Sequence, residues 1–92
     1  MQTQGTPFMG KWEKVLEQIL RGRSDANIPF EDLCGLLEHL GFTRRIRGSH
    51  HVFRKEGIAE RPNIQRSGHL AKPYQVRQVR DIILRHKLGD DL

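Results

Sequence analysis

Among its 92 residues the sequence holds one cysteine, Cys34, so no internal disulfide framework is available and stability has to come from packing. That is the usage of a reducing compartment, and a cytoplasmic location is the expectation. No apolar run approaches the roughly 18–20 residues of a membrane span. The opening MQTQGTPFMG lacks the basic and apolar regions of a secretory leader, so neither insertion nor export is expected. Aromatic residues are scarce, with one Trp, one Tyr and four Phe, and an apolar share of 36% suffices for one modest core and not for two. Internal repeats and low-complexity tracts are missing as well, which points to a single cooperative unit. Five histidines and a cysteine are present, yet no C-x-x-C or H-x-x-x-H spacing occurs. A structural metal or other cofactor is therefore not expected.

Positive charge is abundant and unevenly placed. Residues 44–87 carry twelve Lys and Arg against three acids, whereas residues 1–43 carry four bases and six acids. The basic half is the expected partner-facing half. A field of this density captures polyanions, and RNA or DNA is the commoner partner for a chain without lipidation motifs.

Residues 1–9, rich in Gln, Thr and Gly, read as a disordered lead-in to a domain over 10–88, with 89–92 as a tail. Trp12, Val15, Leu16, Ile19 and Leu20 recur at helical spacing and predict an amphipathic helix over 10–22, which Gly22 can end. Phe30, Leu33, Cys34, Leu37 and Leu40 predict a second helix from Pro29 to Leu40, with Pro29 in its first turn and Gly41 as a left-handed cap. From Phe42 the period becomes two, giving one strand, a Gly48-Ser49 turn and a second strand over 50–55. A short third strand is expected over 63–66 behind Pro62, then a Ser67-Gly68 loop and a last helix from Pro73 to His86. The fold class is accordingly α+β, a three-stranded antiparallel sheet covered by helices.

Two histidines, His50 and His51, open the second strand inside the basic half. An imidazole both takes and gives protons near neutral pH, which is what RNA cleavage requires. A base removes the ribose 2′-OH proton so that the oxygen attacks the adjacent phosphate, an acid protonates the leaving 5′ oxygen, and cations stabilise the added phosphate charge. Strand alternation sends the two imidazoles to opposite faces. If Phe53 packs under the helices, His51 shares its face and His50 is accessible; if Val52 is the core residue, the assignment reverses. Arg44, Arg45 and Arg47 straddle both faces, so only some can line a site. Ser49, Arg47 and Arg54 around the turn are candidate RNA contacts, as are Arg77 and Arg80 on the last helix and Lys72 at its N-terminus, where a phosphate is favoured. One histidine cannot perform both proton transfers at once, so His51, Tyr74, Lys72 or water has to assist. Cys34, set among leucines, reads as a buried and unreactive thiol.

Three segments in order, Leu37-Glu38-His39-Leu40-Gly41-Phe42, Gly48-Ser49-His50-His51-Val52-Phe53 and Ala71-Lys72-Pro73-Tyr74-Gln75-Val76-Arg77, resemble successive landmarks of the HicA family of bacterial ribonuclease toxins. The resemblance covers a core of 29–87, and Gly-Ser-His-His after a Leu-Gly-Phe helix end is its most specific element. It implies a fold similar to a double-stranded-RNA-binding domain, mRNA cleavage without a metal, and a HicB-type antitoxin as partner. The family's catalytic histidine follows Gly-Ser directly, which is His50 here. The chain departs from the family in its additional helix over 10–22, and in Pro62-Asn63-Ile64-Gln65, which replaces a Pro-His ending. Two other functions fit the same charge pattern. A non-catalytic RNA-binding module would grip RNA by shape and phosphate contacts. A protein adaptor would present its basic face to an acidic partner and show no RNA affinity even at low salt.

Overall fold

The computed structural model describes residues 10–91, with side chains to residue 90. The lead-in expected over 1–9 lies outside the described residues. The first helix, α1 (Lys11–Arg21), buries Val15, Leu16 and Ile19, and Gly22 at φ 70° ends it by donating its N–H to Ile19 O. Leu20, expected in the apolar stripe, falls at its edge and is exposed. A 3-10 turn (Asp25–Asn27) leads into α2 (Phe30–His39). Pro29 stands outside that helix as its extended cap, at ψ 138°, and bridges to Leu70. At the other end Gly41, at φ 101°, donates to Glu38 O and Phe42 donates to Leu37 O. This paired closure satisfies two terminal carbonyls and turns the chain sharply into the sheet.

Strands β1 (Thr43–Arg47) and β2 (His50–Arg54) form a hairpin in which Arg47 faces His50. Gly48, at φ 61°, supplies the left-handed conformation that a two-residue hairpin turn needs. The short strand β3 (Asn63–Ile64) pairs antiparallel with β2, completing a sheet of order β1-β2-β3. The third strand was expected to continue to Arg66. Instead Gln65 gives its N–H to the Gln75 side chain at 3.0 Å, and the chain leaves the sheet. It re-pairs as a small ladder of β4 (Arg66–Ser67) and β5 (Leu70–Ala71), whose Ala71 N–H bonds Ile28 O and whose His69 carbonyl accepts from Phe30. The last helix, α3 (Pro73–His86), has Pro73 in its first turn and closes at Lys87, φ 54°. A terminal 3-10 turn (Leu88–Asp91) follows, and Gly89 lies close to α1: a Cβ on it would come within 2.8 Å of Leu16.

The molecule is therefore α+β, with a three-stranded antiparallel sheet and three helices. One apolar cluster unites them, including Ile19 of α1, Leu33 and Leu37 of α2, Phe53 and Ile64 of the sheet, and Val76 and Val79 of α3. The additional helix is thus part of the core.

Trp12 fixes the α1–α2 contact. Its ring lies on Gly35 of α2 and stacks on His39 with centroids 5.9 Å apart. A helix-interior glycine normally costs about 1 kcal/mol relative to alanine. Here a Cβ would lie 2.2 Å from the Trp12 ring. Gly35→Ala is accordingly expected to lower stability by about 1–3 kcal/mol, read as a lower urea midpoint with a shift in Trp12 emission. An increase in midpoint would show that Trp12 does not need this gap.

Candidate RNA interface and catalytic site

The sheet has two chemically different faces. Phe53 is fully buried and His51 packs edge-on against Phe30, centroids 4.9 Å apart, so the helix-facing set on β2 is His51 and Phe53. Of the two parities left open by the sequence, the structure takes the one with Phe53 inward. His50 and Arg54 turn outward, and their register partners on β1, Arg47 and Thr43, share that outer face with Arg45. All five are exposed.

At the turn end of this face, His50 Nδ1 lies 3.1 Å from Asn63 Oδ1. An amide oxygen only accepts, so in this contact Nδ1 donates, and in the neutral ring the lone pair then sits on Nε2. That is the tautomer a general base requires. Asn63 is held in turn by α3. Gln75, only 2% exposed, donates to Asn63 O at 2.9 Å and accepts from Gln65 N–H at 3.0 Å, so one buried amide occupies both hydrogen-bonding groups at the end of β3. Gln65 donates from its side chain to Ser49 Oγ at 3.2 Å, joining the hairpin turn to the same network. Ser49 is thereby a structural partner of the turn as well as a neighbour of His50. Tyr74 is 47% exposed, with its hydroxyl 3.5 Å from the Gln75 amide nitrogen at the margin of the network.

Several expected contacts are placed elsewhere. His51 does not stand beside His50: it faces α2, with Arg44 Nη1 3.4 Å from its Nδ1. The structure thus places it on the helix-facing side, away from the outer face that carries His50. Burial, and then the Arg44 charge, hold its pKa below the ordinary histidine value. Arg80 is engaged within the fold. Its guanidinium makes two hydrogen bonds to Asp25, at 2.9 and 3.1 Å, and a third to Ile19 O at 3.1 Å. Arg77 is exposed, and its charge is one of those that lower the Asp25 pKa. Lys72 caps α3 through its carbonyl, which accepts from Gln75 and Val76. Arg44 forks onto Glu38 at 3.0 and 3.1 Å and belongs to the helix-facing side. Burial pushes the Cys34 thiol up to about 12, as suits an unreactive core residue.

Sequence reasoning missed Asn63, Gln65 and Gln75, whose roles depend on contacts ten or more residues away. It also left Arg45 among alternatives. Among the described residues no three His, Cys, Asp or Glu side chains are grouped as a metal ion would need, and no helix is long and apolar enough to cross a membrane.

Set against protein-family models, curated proteins and solved structures, the chain matches none. The HicA resemblance rests on the three sequence landmarks alone. What the site can do is therefore argued from its own chemistry: an oriented, accessible imidazole with arginines on one open face can move a proton and hold a phosphate.

The suppressed pKa of His51 has a consequence for stability. Arg44 and Arg66 oppose its protonation and Glu31 favours it, with burial the largest influence. Between the lowered folded pKa and the unfolded value near 6.5 the unfolded chain binds a proton that the folded chain refuses. Stability is full above about pH 6.5 and declines as pH falls through that window. Urea midpoints measured from about pH 7.5 to 5 are expected to show this decline, and His51→Gln to flatten it. An equal slope in both chains would assign the effect to another group.

Proposed function

We propose that this chain is an endoribonuclease of the HicA type that acts on cytoplasmic mRNA without a metal and is restrained by a HicB-type antitoxin. The observation that carries the proposal is the His50–Asn63 contact on an open face rich in arginine. In this reaction His50 Nε2 takes the 2′-OH proton as the 2′ oxygen attacks phosphorus. Arg47, opposite His50 on β1, stabilises the charge accumulating on the phosphate oxygens. The bond from phosphorus to the 5′ oxygen breaks, and that oxygen takes a proton from water or from the Tyr74 hydroxyl. The products are a 2′,3′-cyclic phosphate and a 5′-hydroxyl. The family resemblance supports the same residue for the same role.

A non-catalytic RNA-binding module is the second reading, and one observation favours it: His51 faces away, so a single imidazole serves this face. Incubating the purified chain with single-stranded RNA in EDTA separates the two. Cleavage leaving cyclic phosphate ends, with the matching DNA intact, is the expected result. Salt-sensitive binding without cleavage would move the assignment to the binding module, and no RNA affinity at low salt would leave the protein adaptor.

A further inference from the structure

The cations of this chain differ in whether a carboxylate neutralises them. Lys11, Arg21, Arg44, Arg66, Arg80 and Arg85 each have a carboxylate within 4.0 Å. Among the described residues the other ten of the sixteen have none, and Arg45, Arg54, Lys55 and Arg61 are four of these ten. These four gather at the end of the β1–β2 hairpin opposite the Ser49 turn, where they line an open depression of about 790 Å³ with the 55–58 turn as one wall. Glu56 is the only acid on its lining, and Glu60, next in sequence to Arg61, is paired with His86 and Arg85. Four unpaired like charges around one hollow repel one another, and an anion relieves that repulsion.

The hollow has the volume of a small-ligand site and exceeds the needs of one phosphate. No aromatic side chain lines it, so it lacks a stacking platform for a base. Arg54 shares the outer face with His50 and lies four residues further along β2, on the order of 13 Å away at strand rise. A strand of RNA seated at His50 and running along the hairpin enters the depression within a few nucleotides.

We propose that this depression is a second, sequence-independent phosphodiester site, in which Arg45, Arg54 and Arg61 hold the RNA backbone a few nucleotides from the bond positioned at His50. The proposal rests on the RNA reading of the outer face. It adds a length requirement: substrates too short to reach the depression bind less tightly than longer ones, whatever their distal sequence.

The test compares a short single-stranded RNA with one several nucleotides longer at both ends, each carrying a 2′-deoxy nucleotide at the reacting position so that binding is measured without cleavage. For the native chain the longer RNA is expected to bind on the order of tenfold tighter, with a steeper salt dependence by about 0.7 per additional phosphate held. In the Arg45→Gln/Arg54→Gln/Arg61→Gln chain, checked for an unchanged unfolding midpoint, that advantage and the added slope are expected to vanish. An undiminished advantage in the variant would overturn the proposal while leaving the RNA reading intact. Tighter binding of an acidic peptide such as polyglutamate than of the long RNA, lost in the same variant, would overturn it in favour of a protein partner. Failure of the native chain to bind either RNA at low salt would overturn the RNA reading itself.

Discussion

The His50→Ala chain is expected to cleave RNA more slowly by about 10²–10⁴-fold while keeping the unfolding midpoint and RNA affinity of the native protein. The ring is exposed, and its side-chain hydrogen bond is the one to Asn63, so its removal costs the fold little. What is lost is the Nε2 lone pair on the arginine face. Asn63→Ala is expected to fall between the two chains, because the imidazole remains but nothing selects its tautomer or orientation, as when the orienting partner of a catalytic histidine is removed. His51→Ala provides the contrast. Its ring is packed on Phe30, so the expected loss is in stability, with the cleavage rate per folded molecule unchanged. Single-turnover rates at matched folding decide the matter: equal losses for His50→Ala and His51→Ala, or none for His50→Ala, would remove His50 from its role.

Arg80→Ala carries the largest expected effect on the fold. Its side chain is 17% exposed and that of Asp25 16%, so both ions are largely withdrawn from water. The guanidinium also bonds Ile19 O in the last turn of α1, so one side chain joins α3, the 3-10 turn and the first helix. Truncation leaves the Asp25 carboxylate without the partner whose hydrogen bond holds its pKa below the usual carboxylate range. A loss of about 2–4 kcal/mol is expected, or roughly 10–20 °C in melting temperature for a domain of this size. Arg80→Lys should recover only part of it, since one ammonium cannot reproduce the fork. RNA binding per folded molecule should keep its salt slope. A reduced slope with an unchanged melting temperature would return Arg80 to the RNA face.

Arg80 also illustrates what the sequence could and could not disclose. Helical and strand periodicities placed three helices and three strands, because burying an apolar stripe is a local property of spacing. The same local logic grouped Arg77 with Arg80 by their separation of three. It could not weigh the pull of Asp25, which is brought there by the packing of α1 against α3. The third strand was overextended for a related reason: strand propensity does not register that a glutamine ten residues later will take the N–H of Gln65. At the candidate site, His50 was legible from alternation once Phe53 was given as inward, whereas Asn63 was not. An asparagine in a short segment after proline reads as an ordinary turn residue until the sheet sets it beside an imidazole.

Among the described residues strand β1 borders the sheet, with β2 on one side and no strand on the other. Such an edge presents unsatisfied backbone groups on which a strand from another molecule can add, the first step toward aggregation. Of the five residues of β1, Thr-Arg-Arg-Ile-Arg, three are arginines. A second copy approaching in register would bring like charges into direct opposition, with its own arginines set against these. The same charge thereby also keeps the edge from pairing with itself, and substitutions that neutralise this strand are expected to lower solubility, whatever they do to the proposed RNA contacts.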